Sequence, residues 1–145
     1  MNHIERCIEE IGCAVVPIEG TSMLPLLKEG KTLVEVESRN TKQFKKGDVV
    51  LYRKNDGTLV LHRIVKAGSD NIFTVLGDHQ YNNAEQVNSE QILAVMTGFI
   101  TNGRHIDENT LWYRIYKRIW VGSLVLRRCC LAFLRMSGIE KINKK

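Results

Sequence analysis

The sequence predicts a mainly β protein, a folded sheet or barrel that carries a helical appendage at its C-terminal end. Short runs rich in Val, Ile, Leu and aromatic residues recur between Thr32 and Ile100, each about the length of a strand. Glycine-containing turn signals separate them. Five such strands joined by tight turns point to an all-β domain and away from a parallel α/β one. After Asn102-Gly103 the pattern changes to a basic stretch without strand alternation.

Taken in order, Asn2 to Ile11 reads as a short amphipathic helix with Ile4, Ile8 and Ile11 on one face. Gly12 ends it, and Cys13-Ala-Val-Val-Pro17 leads on as an extended segment. Gly20-Thr-Ser-Met-Leu-Pro25 is a turn, with Pro25 suited to open one helical turn up to Lys28. Strands are expected at Thr32 to Val36, Val49 to Arg53, Leu59 to Val65, Ile72 to Leu76 and Ile92 to Ile100. Asn55-Asp56-Gly57 is the strongest hairpin signal, because glycine tolerates positive φ. Asp107, Glu108 and Asn109 can cap a helix from about Thr110 to about Met136, with Gly122 and Ser123 placed to bend or divide it. These elements make residues 1–103 a β domain and residues 104–145 a basic amphipathic helical tail, with a boundary near Gly103. The lysine-rich stretch Lys141 to Lys145 is the only one that invites disorder.

Charge divides the same way. The chain of 145 residues carries a net +5. From Arg104 onward there are ten basic residues against Asp107, Glu108 and Glu140, whereas residues 1–103 hold eleven basic and thirteen acidic ones. The positive charge therefore sits in the tail, which is expected to meet an anionic surface. Nucleic acid is not the expected partner, because no recognition motif accompanies the charge.

Cys7, Cys13, Cys129 and Cys130 form no CxxC pair, and no histidines stand beside them at zinc-ligand spacing. No metal or other cofactor is expected, and reduced thiols suit an intracellular setting. Residues 2–12 carry Glu5, Arg6, Glu9 and Glu10 where a signal peptide needs an apolar core. No run of eighteen uncharged apolar residues occurs. The expected location is the bacterial cytoplasm or the periphery of a membrane.

Three residues have the chemistry of a hydrolase. Ser22 lies in an apolar stretch between Gly20 and Pro25, where a hydroxyl has little packing value. A serine attacks at neutral pH only with a base within reach, and its own amide could serve a developing oxyanion. Ser22 equally suits the cap of the short helical turn. His62, in Val60-Leu-His-Arg-Ile-Val65, is the best-placed base, since imidazole titrates near neutrality, although a histidine among aliphatic residues is also at home in a core. Asp78, just past a strand end in Val75-Leu-Gly-Asp-His79, could orient that imidazole or simply complete a turn. Met23, Pro25 and Leu61 are expected to touch the substrate.

Four segments in this order resemble the boxes of the type I signal peptidases and their self-cleaving repressor relatives. Gly20-Thr-Ser-Met-Leu-Pro25 is similar to the serine box and Lys46-Gly-Asp-Val-Val50 to a Gly-Asp turn entering a strand. His62-Arg-Ile-Val65 resembles the box that supplies the base, and Gly77-Asp78 the final Gly-Asp box. The resemblance covers about residues 14–100. With His62 where most bacterial signal peptidases and the repressors carry lysine, it implies the Ser-His branch of the endoplasmic-reticulum and sporulation type. It also implies a serine endopeptidase that cuts extended leader- or signal-type peptides flanked by small side chains. Two departures stand out. Asn83 and Ala84 occupy the later acidic positions, so the orienting role falls on Asp78 or is absent, and the family's N-terminal anchor is not expected here. The alternative is a peptide-binding or scaffold module that keeps the fold without catalysis. A self-cleaving switch would need a scissile bond in the N-terminal arm, where Ile11-Gly-Cys-Ala14 is the only small-residue stretch.

In the tail, Arg114, Lys117, Arg118, Arg128 and Arg135 fall near one helical side, and Ile115, Ile119, Leu126, Cys129 and Phe133 near another. Such a helix over residues 110–136 can lie in a membrane interface with Trp112 and Trp120 at headgroup level, or pack on its own barrel or a partner.

Overall fold

The computed structural model describes residues 3–41 and 43–136. Asn2 and the lysine-rich terminus lie outside these residues. Helix α1 (His3–Ile11) precedes eight strands: β1 (Cys13–Pro17), β2 (Thr32–Ser38), β3 (Val49–Arg53), β4 (Leu59–Ala67), β5 (Ile72–Leu76), β6 (Glu85–Asn88), β7 (Ile92–Thr101) and β8 (Arg104–Asp107). Helices α2 (Leu111–Gly122) and α3 (Leu124–Met136) follow. The strands pair antiparallel in one sheet, ordered β1-β2-β7-β3-β4-β5-β6, and β8 adds to β7. The sheet curls into a half-barrel. Register shifts that skip Thr97 and Leu93 of β7, opposite Glu35/Val36 and Leu51/Tyr52, and Val65 of β4 help to bend it, as bulges do.

Strand β7 is the hub. One edge carries β2 along its length, from Thr32↔Thr101 to Ser38↔Ala94. The other edge pairs first with β3, at Ile92 to Val95, and then with β8, at Gly98 to Thr101. The apolar run Ile92 to Ile100 suits a strand with neighbours on both sides.

The expected mainly β fold with C-terminal helices is present, with three strands more than the five expected. Strand β1 arises from the extended Cys13-to-Pro17 run. Strand β6 (Glu-Gln-Val-Asn) has little intrinsic β-propensity and is recruited by pairing with β5. Strand β8 returns along β7 through the Asn102-Gly103 turn, where φ is +50° and +72°, as a tight hairpin turn requires. Gly103 thus lies in the turn of the β7–β8 hairpin.

Two apolar clusters hold the sheet. The larger joins Ile8 of α1 and Val16 of β1 to Met23, Leu26, Leu27, Val34, Leu51, Leu61, Phe99 and Tyr113. The smaller gathers Val50, Tyr52, Ile64, Phe73, Val75, Val87, Ile92 and Val95. Tyr113 belongs to α2, so the helical segment reaches the main core. The aromatic residues of α2 stack along one side, with ring centroids 4.7 Å apart for Tyr116 and Trp120. Helices α2 and α3 meet at Ser123, whose backbone is extended (φ −146°).

Candidate active site

Between Ile18 and Lys28 the chain makes consecutive turns: Leu24 N–H donates to Thr21 O and Leu27 N–H to Met23 O. These replace the helical turn expected after Pro25. Gly20 sits at φ +77°, the left-handed region that glycine enters freely. Met23, Leu26 and Leu27 are buried in the main core, each worth about 1.5–3 kcal/mol. They pin a segment whose half-buried Ser22 is left facing a cleft.

That cleft measures about 780 Å³. Val16, Ser22, Met23, Leu51, Leu59 and Leu61 line it, with Glu5, Glu9 and Glu19 at acidic positions. Of the expected substrate contacts, Met23 and Leu61 lie in its wall, whereas Pro25 does not.

Ser22 is locked to the loop after β5. Its carbonyl accepts the His79 N–H at 2.8 Å. A methyl group on Gly77 would stand 2.5 Å from Ser22 O and 3.1 Å from Ser22 Cβ, so only glycine permits this approach. Pairing of β4 with β5 begins at Arg63↔Leu76, and one step further sets His62 abreast of Gly77. Among the described residues, β4 from Leu59 to His62 therefore has β3 on one side and an unpaired edge on the other. Ser22 borders that edge across Gly77. Among the described residues neither the Ser22 N–H nor its Oγ has a hydrogen-bond partner, and no hydrogen bond joins Ser22 to His62.

His62 is buried. Its Nδ1 lies 3.2 Å from Tyr52 Oη, which donates to Glu85 Oε2 at 2.9 Å. Lys54 Nζ donates to the other Glu85 oxygen at 2.6 Å. Burial lowers the His62 pKa below the ordinary 6.5, opposed by the Glu85 carboxylate and reinforced by Lys54. A neutral imidazole at neutral pH follows. Burial tends to raise the Glu85 pKa, but the hydrogen bonds from Lys54 and Tyr52 carry it below the usual carboxylate range.

Asp78 stands elsewhere. Both of its oxygens accept from Arg63, Oδ1 from Nε and Oδ2 from Nη2, each at 2.7 Å, and Tyr116 Oη donates to Oδ2 at 3.0 Å. The Asp78 oxygens thus face Arg63 and α2, and the group at His62 Nδ1 is Tyr52. Arg63 and Asp78 have no exposed side-chain surface. Burial alone would lower the Arg63 pKa, but the adjacent Asp78 carboxylate raises it on balance. The Asp78 carbonyl accepts from Trp120 Nε1 and Arg127 Nε, and the Gly77 carbonyl from Arg127 Nη2. Helices α2 and α3 therefore clasp the corner that backs Ser22.

The outer side of these helices is open. Trp112, Ile115, Ile119, Leu126 and Phe133 are exposed, whereas Trp120 is buried on the Gly77-Asp78 corner, as in the alternative in which the helix packs on its own barrel. Lys117 is drawn inward to Asp48 at 2.9 Å. No helix among the described residues is long and apolar enough to cross a membrane. The four cysteines are free thiols, and no group of metal-ligating side chains occurs among the described residues.

Sequence reasoning missed Tyr52 and Glu85. Tyr52 reads as one apolar residue of a strand, and Glu85 as a loop acid. The signal available was alternation: Tyr52 lies opposite Val60, so it shares a sheet face with His62, two residues along β4.

No protein-family model matches the chain, and no solved structure matches it. Signal peptidase I W of Bacillus subtilis is 35% identical over 85 residues, 54% of this chain and 43% of that protein. The chain thus spans less than half the length of that relative. The similarity supports a signal peptidase-like relationship, and the curled sheet with C-terminal helices is consistent with a signal-peptidase-like β fold.

Proposed function

We propose that the chain is a serine endopeptidase in which Ser22 is the nucleophile and His62 its general base. The observation that carries the reading is the position of Ser22, bordering the unpaired edge of β4 at His62 and facing a cleft. An extended leader- or signal-type peptide would add along Leu59 to His62, its backbone pairing with the open edge. Met23 and Leu61 would contact its side chains. Ser22 Oγ then attacks the carbonyl carbon while His62 accepts its proton. The Ser22 N–H, which has no protein acceptor among the described residues, would donate to the oxyanion. His62 returns the proton to the leaving amine, and water, deprotonated by the same imidazole, releases the acyl group from Ser22.

A fluorophosphonate reagent tests the nucleophile without knowledge of the substrate. Attack by Ser22 Oγ displaces fluoride, and one adduct is expected on the peptide that bears Ser22. The His62→Ala chain should label at least 100-fold more slowly, at the lower end of what a general base contributes. Labelling at another residue, or equal labelling without His62, contradicts the assignment. A second reading, a peptide-binding module without catalysis, is favoured by the missing Ser22–His62 hydrogen bond. It predicts peptide binding and no adduct.

For the helical segment we propose peripheral attachment to an anionic membrane through the exposed residues of α2 and α3. The supporting features are five exposed apolar side chains, Trp112, Ile115, Ile119, Leu126 and Phe133, beside Arg114, Arg118, Arg128 and Arg135. Truncation near Gly103 would remove Tyr113 from the core, so the test is substitution. Wild type is expected to float with phosphatidylglycerol vesicles and the Ile115→Glu/Phe133→Glu chain to sediment. Equal flotation refutes the attachment.

A further inference from the structure

A neutral imidazole carries one N–H and one bare nitrogen, and the hydrogen bond at one nitrogen decides which is which. A base for Ser22 must keep its lone pair on the nitrogen turned toward the serine. At His62 that choice depends on the group at Nδ1.

The group is Tyr52 Oη, 3.2 Å away. A phenol has a single proton to donate, and the stronger acceptor takes it. Two acceptors compete: a neutral imidazole nitrogen and the Glu85 carboxylate, 2.9 Å from the phenol. Hydrogen bonds to an ionised acceptor are about twice as strong as neutral ones. Glu85 is kept ionised by Lys54 at 2.6 Å, while burial and the neighbouring Glu85 keep the Tyr52 phenol protonated. The phenol proton therefore belongs to Glu85. Tyr52 Oη then offers only lone pairs to His62, so Nδ1 must carry the imidazole hydrogen and Nε2 is bare.

We propose that Glu85 and Tyr52 form a positioning relay that holds His62 in its Nδ1–H tautomer and leaves Nε2 as the base for Ser22. The proposal rests on the Ser-His peptidase reading. It gives the orienting role expected of Asp78 to a carboxylate acting through a phenol. As Nε2 takes the serine proton, the new positive charge is stabilised by the Glu85 carboxylate, with Asp78 in support and Lys54 and Arg127 opposing. Both relay residues are positioning residues, since neither touches the reacting atoms.

Tautomer and turnover separate the relay from the reading beneath it. In the full chain labelled with ¹⁵N-histidine, long-range ¹H–¹⁵N NMR at pH 7.5 is expected to show His62 as the Nδ1–H form. In Tyr52→Phe a mixture, or the Nε2–H form, should replace it. Peptide cleavage by Tyr52→Phe should fall about 10- to 100-fold in kcat with little change in KM, within the share a general base supplies. Glu85→Gln removes a carboxylate that favours the imidazolium, so the acid limb of its kcat/KM profile should move to lower pH. It is also the second variant should Tyr52→Phe fail to fold. A wild-type His62 in the Nε2–H form, or unchanged tautomer and kcat in both variants, overturns the relay. If Ser22→Ala keeps wild-type activity, the peptidase assignment fails instead, whichever tautomer the NMR shows.

Discussion

Replacement of Ser22 by alanine is expected to lower kcat for peptide cleavage by a factor on the order of 10⁶, and His62→Ala by a comparable factor, because nucleophile and base act as one unit. KM should change little, since neither side chain supplies the main contacts in the cleft wall. The loss should be chemical, because Ser22 makes no side-chain hydrogen bond among the described residues. Truncating a half-buried hydroxyl of this kind costs about 0.5 kcal/mol or less. In wild type, kcat/KM should rise with pH through an apparent pKa below the ordinary 6.5 of histidine, because burial depresses that of His62, and then level off. Steady-state kinetics over pH 4–8 check both points. A limb well above 6.5 would contradict the neutral, buried base.

Asp78→Ala is expected to produce the largest loss of stability. Arg63 is held by both oxygens of this carboxylate, and Arg127 Nη2 lies 4.0 Å from Oδ1. Both guanidiniums are fully buried. Removing the anion leaves two buried cations whose other hydrogen bonds among the described residues go to neutral groups, and breaking one partner of a buried pair costs about 3–5 kcal/mol. That is a large fraction of the 5–15 kcal/mol typical of a whole domain. Among the described residues Arg127 Nη1 already lacks a hydrogen-bond partner, so little there remains to absorb the charge. Urea denaturation followed by tryptophan fluorescence reads the change. Trp120 reports locally, since its Nε1 donates to the Asp78 carbonyl. An unchanged midpoint would show that Asp78 does not anchor the corner.

The strand core was legible because its signals are local. Alternation in Leu59 to Val65, the run from Ile92 to Ile100 and the Asn-Asp-Gly turn each fix a strand or a hairpin through residues adjacent in sequence. Strands β6 and β8 were not, because Glu-Gln-Val-Asn and Arg-His-Ile-Asp become strands only through the edges of β5 and β7. The same limit applies at the candidate site. Ser22 and His62 were visible as residue types in ordered boxes, but the partner of each was not. Asp78, just past a strand end, reads equally as an orienting acid or a turn residue, and nothing local shows that its oxygens go to Arg63, fifteen residues away, and to Tyr116 of α2. Glu85 looked like a loop residue, and only the curl of the sheet brings it to Tyr52. The contacts of the tail with the body are not legible, because basic residues dominate its pattern. Tyr113, Trp120 and Arg127, which bind it to the body, lie among aromatic and basic neighbours of similar type.

The decisive measurement is digestion of a library of extended peptides by wild-type chain and by Ser22→Ala, with products identified by mass spectrometry. The Ser22–His62 assignment predicts fragments cut beside small side chains in the wild-type digest and none in the Ser22→Ala digest. The same fragments from both chains, or an uncut library with wild type, would contradict it.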